Sequence, residues 1–244
     1  MAGVGRGERD ALVGIVQVDG NGVPTQDPPL LATKAQVAEQ LVDLNTRHIR
    51  AVAQNVVRFN TAGERTVFPP YFGAVLAAGM QAGSPIGVSL TNKFINVLDF
   101  GQDSSWNPVD DAEELIQGGL LFMETVQGVG TRWVRNVTTF LQSDNLAFTE
   151  GSVNEAVNFT ALTVRDALEF AVGRRGFAGT LNALRGIAIN TLNLLVDEGV
   201  IVQWRALSLE LSGDVVEVSV EVSPTLPINF VRTTLHLTTT TLSA

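Results

Sequence analysis

Apolar positions along the 244-residue chain change period several times, between alternation and the roughly 3.6-residue repeat of a helix. A short apolar run over 12–18 alternates and stops at Gly20-Asn21-Gly22, which predicts a strand and then a loop through Pro24, Pro28 and Pro29. Thr33 with Gln36 three residues on is a capping-box pair, and Val37, Ala38, Leu41 and Leu44 follow at helical spacing, so a helix should end near Asn45. The Val-rich stretch 49–57 predicts a strand, and 60–64 a polar turn. Pro69-Pro70 opens a helix crowded with Ala and Gly, whose small side chains let backbone approach backbone. Residues 94–100 read as a buried strand. Asn107 is expected to cap a short helix with Pro108 at its first position, acids Asp110, Glu113 and Glu114 near its positive end and Gly118-Gly119 as its stop. A strand over 120–126, a turn over 128–130 and a strand over 133–137 complete a strand-and-helix alternation.

From Val153 the pattern lengthens. A helix is predicted to about Val172, then a break at Gly173-Arg174-Arg175-Gly176, then a second helix over 177–198 closed by Gly199. Two alternating strands, 200–211 and 214–222, meet at Ser212-Gly213, with Val216, Val218, Val220 and Val222 on one face. After Pro224 and Pro227 a last strand is expected over 228–237, trailing into a Thr tract with high strand propensity and little to bury. Such a terminal strand can fold back on its own sheet or be donated to another chain, because an open sheet edge is a template for pairing. The fold class is therefore mixed α and β. An α/β core domain over 1–147, of which 1–32 reads as arm or loop, precedes a C-terminal domain over 148–244. That second domain holds two helices, an antiparallel hairpin and an extended terminal strand in the arm 225–244.

Composition narrows the function classes. The chain has no cysteine, so it has no disulfide framework, no Cys-based zinc site and no thiol nucleophile. A net charge of -9 argues against a general nucleic-acid binder, since phosphate contacts need clustered Lys and Arg. Only 17% of residues are charged, against an average of roughly 25%, as expected where copies of the chain cover much of its surface. No window reaches the length of an apolar membrane helix, and MAGVGRGERD lacks a signal-peptide pattern, so cytoplasmic synthesis and no direct membrane insertion are expected.

Candidate chemistry is sparse. Gly3, Gly5 and Gly7 imitate part of a phosphate loop, but no strand precedes them and no Gly-Lys-Ser/Thr follows. Gly128 and Gly130 are explained by a hairpin turn. His48 and His236 have no acidic or histidine partner at ligand spacing. Asp110-Asp111 and Glu113-Glu114 sit at a helix start, where carboxylates favour the dipole. No catalytic, metal or cofactor residue is therefore expected, and an enzyme is disfavoured by the lack of convergent polar groups near strand ends. Arg174 and Arg175, with Arg185 a few turns on, are the densest basic spot on an acidic chain; they read as a solvated connector or as a docking point for an acidic surface.

Several segments together resemble one family. They are Arg132-Trp133-Val134-Arg135 running to Thr138-Thr139, the helix start Ser152-Val153-Asn154-Glu155, Leu195-Val196-Asp197-Glu198-Gly199-Val200-Ile201, and Pro227-Ile228-Asn229-Phe230-Val231. Their order and spacing resemble the C-terminal domain of contractile tail sheath proteins of bacteriophages and related injection machines. Upstream, Asp43-Leu44-Asn45, the small-residue helix 69–83, Ser89-Leu90-Thr91-Asn92-Lys93 and residues 113–121 resemble the sheath core, so the match runs over about 40–242. Family members are commonly much longer, with an N-terminal arm and outward-facing domains ahead of this region. The chain is thus either a compact sheath or a piece of a larger product.

The resemblance implies a structural subunit that polymerises in stacked rings around an inner tail tube and contracts without nucleotide to drive the tube through a target envelope. It implies partners in further copies of the chain, the inner tube protein, and the baseplate and tail terminator, in a virion tail assembled in a bacterial cytoplasm. Ile228, Asn229, Phe230, Val231, Arg232, Thr233, Thr234, Leu235 and Leu237 become the expected subunit interface, with Pro224 and Pro227 as its hinge. Arg174, Arg175 and Arg185 become the expected inner-tube contact, because the family's C-terminal domain lies innermost. A tube or collar subunit is the alternative, and a small α/β enzyme a more distant one.

Overall fold

A computed structural model describes residues 10–27, 29–107, 109–143, 145–173 and 178–229. Strand β1 (Ala11–Gly14) and strand β2 (Ile49–Val52) run parallel, with Ala11 opposite Ile49 and Gly14 opposite Val52, joined across helix α1 (Lys34–Leu44). The helix starts where the capping box predicts: Gln36 N–H donates to Thr33 Oγ1, and Thr33 N–H donates back to Gln36 Oε1. Residues 120–122 add a third parallel segment, with Leu121 N–H donating to Ala51 O at 2.8 Å. Alternation then assigns the two faces. Val13, Ala51, Leu120 and Phe122 turn towards α1, where Val37 and Leu41 are buried. Leu12, Val52, Leu121 and Met123 turn towards helix α2 (Pro70–Ala82), meeting Ala74 and Ala77. Glycines on both sides permit this approach: a Cβ on Gly14 of β1 would collide with the backbone of Tyr71, and one on Gly73 of α2 would lie 3.0 Å from Val52 Cγ1.

The predicted strand over 49–57 is two strands, β2 and β3 (Asn55–Phe59), interrupted at Gln54. The Gln54 side chain, fully buried, accepts from Met123 N–H at 2.6 Å and donates to Met123 O at 2.9 Å, replacing a ladder residue with an amide. β3 pairs with β4 (Arg65–Phe68) across the expected turn. Residues 94–100 also divide, into β5 (Phe94–Ile95) and β6 (Asp99–Gly101), which belong to different sheets, β5-β8-β7 and β4-β3-β6. Asn107 is not a helix cap: its Oδ1 accepts from Val109 N–H in a local turn, and helix α3 (Ala112–Gln117) begins after Asp111. Strand β7 (Met123–Val126) is shorter than predicted, and β8 (Gly130–Trp133) ends where a strand was expected to start. Trp133 N–H and O pair with Lys93 and Asn92 instead, and the chain then turns towards the C-terminal helices.

A short helix α4 (Leu146–Thr149) leads into α5 (Gly151–Leu168), a 3-10 turn (Glu169–Ala171), and α6 (Ala178–Asp197). Gly199 ends α6 at φ 74°, with its N–H on Val196 O and Val200 N–H on Leu195 O, the paired bonds of a Schellman stop. The turn delivers the chain into β9 (Ile201–Ser212), which pairs antiparallel with β10 (Val215–Pro224). Ala156 and Val164 of α5, Ala188, Leu192 and Leu195 of α6, and Ile201 and Leu207 of β9 form one apolar cluster. A bulge at Ala206, φ 55°, puts Ala206 and Leu207 opposite Val220 and turns Leu207 into that cluster.

Candidate functional site

The β9–β10 hairpin is a sheet of two long strands, so among the described residues each strand keeps one edge without a backbone partner. One face is covered by α5 and α6, while Val202, Leu211, Val215 and Val218 stay exposed. Edges of this length with apolar neighbours are templates for a further strand. Arg185, from α6, donates to Leu207 O at 3.4 Å and so braces the bulge that bends β9.

Beyond β10 the chain stays against its own body for five residues. Pro224 is the last residue of the strand, opposite Ile201. Thr225 Oγ1 donates to Gly199 O at 2.7 Å, and Asn229 Nδ2 donates to Glu150 Oε2 at 3.1 Å, while Ile228 between them is 85% exposed. Glu150 itself is 1% exposed; its other oxygen lies 3.0 Å from Ser89 Oγ and 3.2 Å from Ser152 Oγ. Burial pushes the Glu150 carboxyl above its ordinary value, against the lowering effect of Ser89, Asn229, Arg135 and Ser152.

This carboxylate lies at one end of a polar seam between α5 and the α/β layers. Arg50 Nη1 donates to Gln81 Oε1 at 3.0 Å and to Asn136 Oδ1 at 3.2 Å, and Gln81 donates to Glu155. Burial holds the Arg50 guanidinium below its ordinary value and raises Glu155. At the other end Asp10 Oδ1 receives Asn154 at 2.8 Å and Asn158 at 3.0 Å. His48 Nδ1 is 3.3 Å from the same oxygen, and Arg47 Nε donates to His48 Nε2, which fixes the proton on Nδ1. His48 thus has an acidic neighbour 38 positions away, which spacing along the sequence does not reveal.

Of the expected interface residues, Ile228 and Asn229 are placed as above. Phe230, Val231, Arg232, Thr233, Thr234, Leu235 and Leu237 lie outside the described residues, as do Arg174, Arg175 and His236. Pro227 is half-buried between the two anchoring residues. Sequence reasoning missed Glu150, Arg50 and Asp10, which have no periodicity or motif to mark them. Among the described residues no group of three or more His, Asp or Glu is arranged to hold a metal ion.

No family model matches the chain. The tail sheath protein of Bacillus phage SP01 is 26% identical over 170 residues, which cover 69% of this chain and 29% of that protein. A chain of the anti-feeding prophage baseplate superposes with a TM-score of 0.67 at 13% identity, over 94% of this chain and 60% of its own length. The sheath tail protein of Listeria innocua gives a TM-score of 0.64 at 13% identity, over 88% of this chain and 53% of that protein. The chain therefore spans less than a third of the phage relative and little more than half of the two solved chains. The resemblance read from the sequence is borne out: in sequence and in fold, this chain is similar to contractile tail sheath proteins.

Proposed function

We propose that the chain is a structural subunit, not an enzyme, of a contractile tail sheath, polymerising around an inner tube in a phage tail or phage-like particle. The observation that carries the reading is the β9–β10 hairpin, a two-stranded sheet with unpaired edges and exposed Val202, Leu211, Val215 and Val218 on a sheath-like fold. The terminal residues Phe230 to Leu237 would add to such an edge on a neighbouring subunit, so that backbone hydrogen bonds link successive copies while whole subunits rotate. The α/β layers over 1–147 and the C-terminal unit over 148–244 would then move together as one body. Arg174, Arg175 and Arg185 are the proposed contact with the inner tube, and the baseplate and tail terminator the partners at either end.

The test is polymerisation of the full chain, imaged by negative-stain electron microscopy over a range of concentrations, beside a chain lacking residues 230–244. The reading expects tubes or stacked rings from the full chain and dispersed, folded particles from the truncated one. Truncated chains that still form long tubes would sink strand donation.

A further inference from the structure

The terminal segment has a fixed root. Three contacts hold residues 225–229 to the body: Thr225 N–H on Val200 O at 3.4 Å, Thr225 Oγ1 on Gly199 O at 2.7 Å, and Asn229 Nδ2 on Glu150 Oε2 at 3.1 Å. The last of these spans 79 positions of sequence and ends on a carboxylate that is 1% exposed. A buried carboxylate is costly unless its oxygens are used. Ser89 and Ser152 approach Oε1, while Oε2 receives Asn229. Removing Asn229 would strip a donor from a charge that solvent cannot reach, so the bond is held from the carboxylate's side as well.

We propose that Glu150 is a positioning residue for the terminal segment, clamping Asn229 so that the pivot of any donated strand lies after residue 229 and not at Pro224 or Pro227. The inference rests on the sheath reading for its purpose, but its geometry concerns one subunit alone. Pro224 is paired with Ile201 as part of β10, and Pro227 sits between two anchored residues. Neither proline is therefore at a point where the chain is released. The consequence is a better-aimed reach: the segment leaves from beside the start of α5 and not from the end of β10. A fixed root lowers the conformational entropy lost when the strand meets an edge.

The charged groups facing Glu150 are Arg135 and, further along the seam, Arg50. Both favour the ionised carboxylate. A second carboxylate placed at position 229 would face Glu150 directly, and two adjacent carboxylates ionise together only at a cost, so that one of them takes up a proton readily as pH falls and becomes a donor to the other.

The absence of cysteine allows one spin label to be placed in the otherwise unchanged full chain. Ile228→Cys, labelled with a nitroxide at the exposed position between the anchors, reports the root; Val75→Cys, exposed on α2, is the control. In dilute, unpolymerised protein the 228 label is expected to be motionally restricted, and to gain mobility severalfold with Glu150→Ala or Asn229→Ala while the 75 label is unchanged. Glu150→Gln, which keeps an amide oxygen and nitrogen at the same place, should restore restriction. Asn229→Asp should leave the label mobile at neutral pH and restricted in mild acid, a pH profile that a general packing role would not produce. A 228 label that is mobile in the parent chain, or equally restricted with Glu150→Ala and Asn229→Ala, overturns the proposal. So does loosening of both labels together, which would make Glu150 a support for the whole fold. Since none of these measurements needs a polymer, failure of assembly with the clamp intact would count against strand donation alone.

Discussion

Gln54 tests whether a buried side-chain amide substitutes for a strand. Val134 N–H donates to Phe122 O in the β7–β8 ladder, so at the next position the Met123 amide faces away from β8. It meets Gln54, which takes Met123 N–H at 2.6 Å, gives to Met123 O at 2.9 Å and gives to Gln102 Oε1 at 3.1 Å, all from a fully buried side chain. Gln54→Leu keeps the volume close and removes all of these bonds. Each buried backbone group left unpaired costs about 1–3 kcal/mol, and burying an apolar leucine there returns part of it, leaving a net loss of about 2–4 kcal/mol. Against a total stability of about 5–15 kcal/mol this is large. Urea unfolding followed by tryptophan fluorescence, to which buried Trp106 and Trp133 contribute, would measure it. Gln54→Glu should also be destabilising at neutral pH, because a carboxylate oxygen would face Met123 O, and should recover as pH falls and the acid becomes a donor. A Gln54→Leu chain within about 0.5 kcal/mol of the parent, smaller than the cost of one unpaired amide, would refute the reasoning.

Two further outcomes are expected. Ala206 holds φ 55° in the β9 bulge, where a Cβ costs about 1–2 kcal/mol and glycine loses about 0.5–1 kcal/mol in entropy; Ala206→Gly should therefore raise stability by about 0.5 kcal/mol, and Ala206→Val should lower it, both read from urea midpoints. Glu150 and Glu155 are both raised by burial from an ordinary value of 4.5. In the window just above 4.5 the folded chain binds more protons than the unfolded one, so their contribution is greatest below that value and is lost as pH rises through the folded values. Glu150→Gln should flatten that decline, seen as a variant-minus-parent difference in unfolding free energy that grows with pH; a difference independent of pH would contradict it.

The elements that could be read from sequence are those whose instructions are local. Thr33 and Gln36 cap α1 through bonds three residues apart, Pro70 opens α2, Gly199 stops α6, and Gly213 at φ 63° turns the hairpin. Periodicity failed where a side chain takes over a backbone role. Val52, Val56 and Val57 advertise one continuous strand, and only the distant Met123 explains why the chain breaks at Gln54. Asn107 has the composition of a cap, but Asp111, tied to Lys34 at 2.8 Å, stands closer to the true start of α3. The root of the terminal segment was hidden for the same reason: Glu150 and Asn229 meet only after the α/β layers, α5 and the hairpin are in place. Prolines are conspicuous in sequence and suggest a hinge; the bonds of Thr225 and Asn229 on either side of Pro227 are not.

The seam that carries Glu150 also bears on how force would pass through such a subunit. Helix α5 presents Ala156 and Val164 to α6 and the hairpin, but Ser152, Asn154 and Asn158 are buried too, and two of them bond Asp10 beside β1. An apolar seam tolerates sliding, since burial has no direction. A seam built from Arg50, Gln81, Asn136, Glu155, Asp10 and the α5 asparagines is held by directional bonds, and displacement would leave further buried polar groups unpaired beside Asn136 Nδ2 and Asn154 Oδ1. It adds little net stability, because desolvation offsets much of the attraction. What it supplies is a defined angle between the α/β layers and the hairpin. In a sheath of the proposed kind, where hairpins link to neighbours and the layers form the wall, that angle sets the direction in which a rotating subunit pulls on the next.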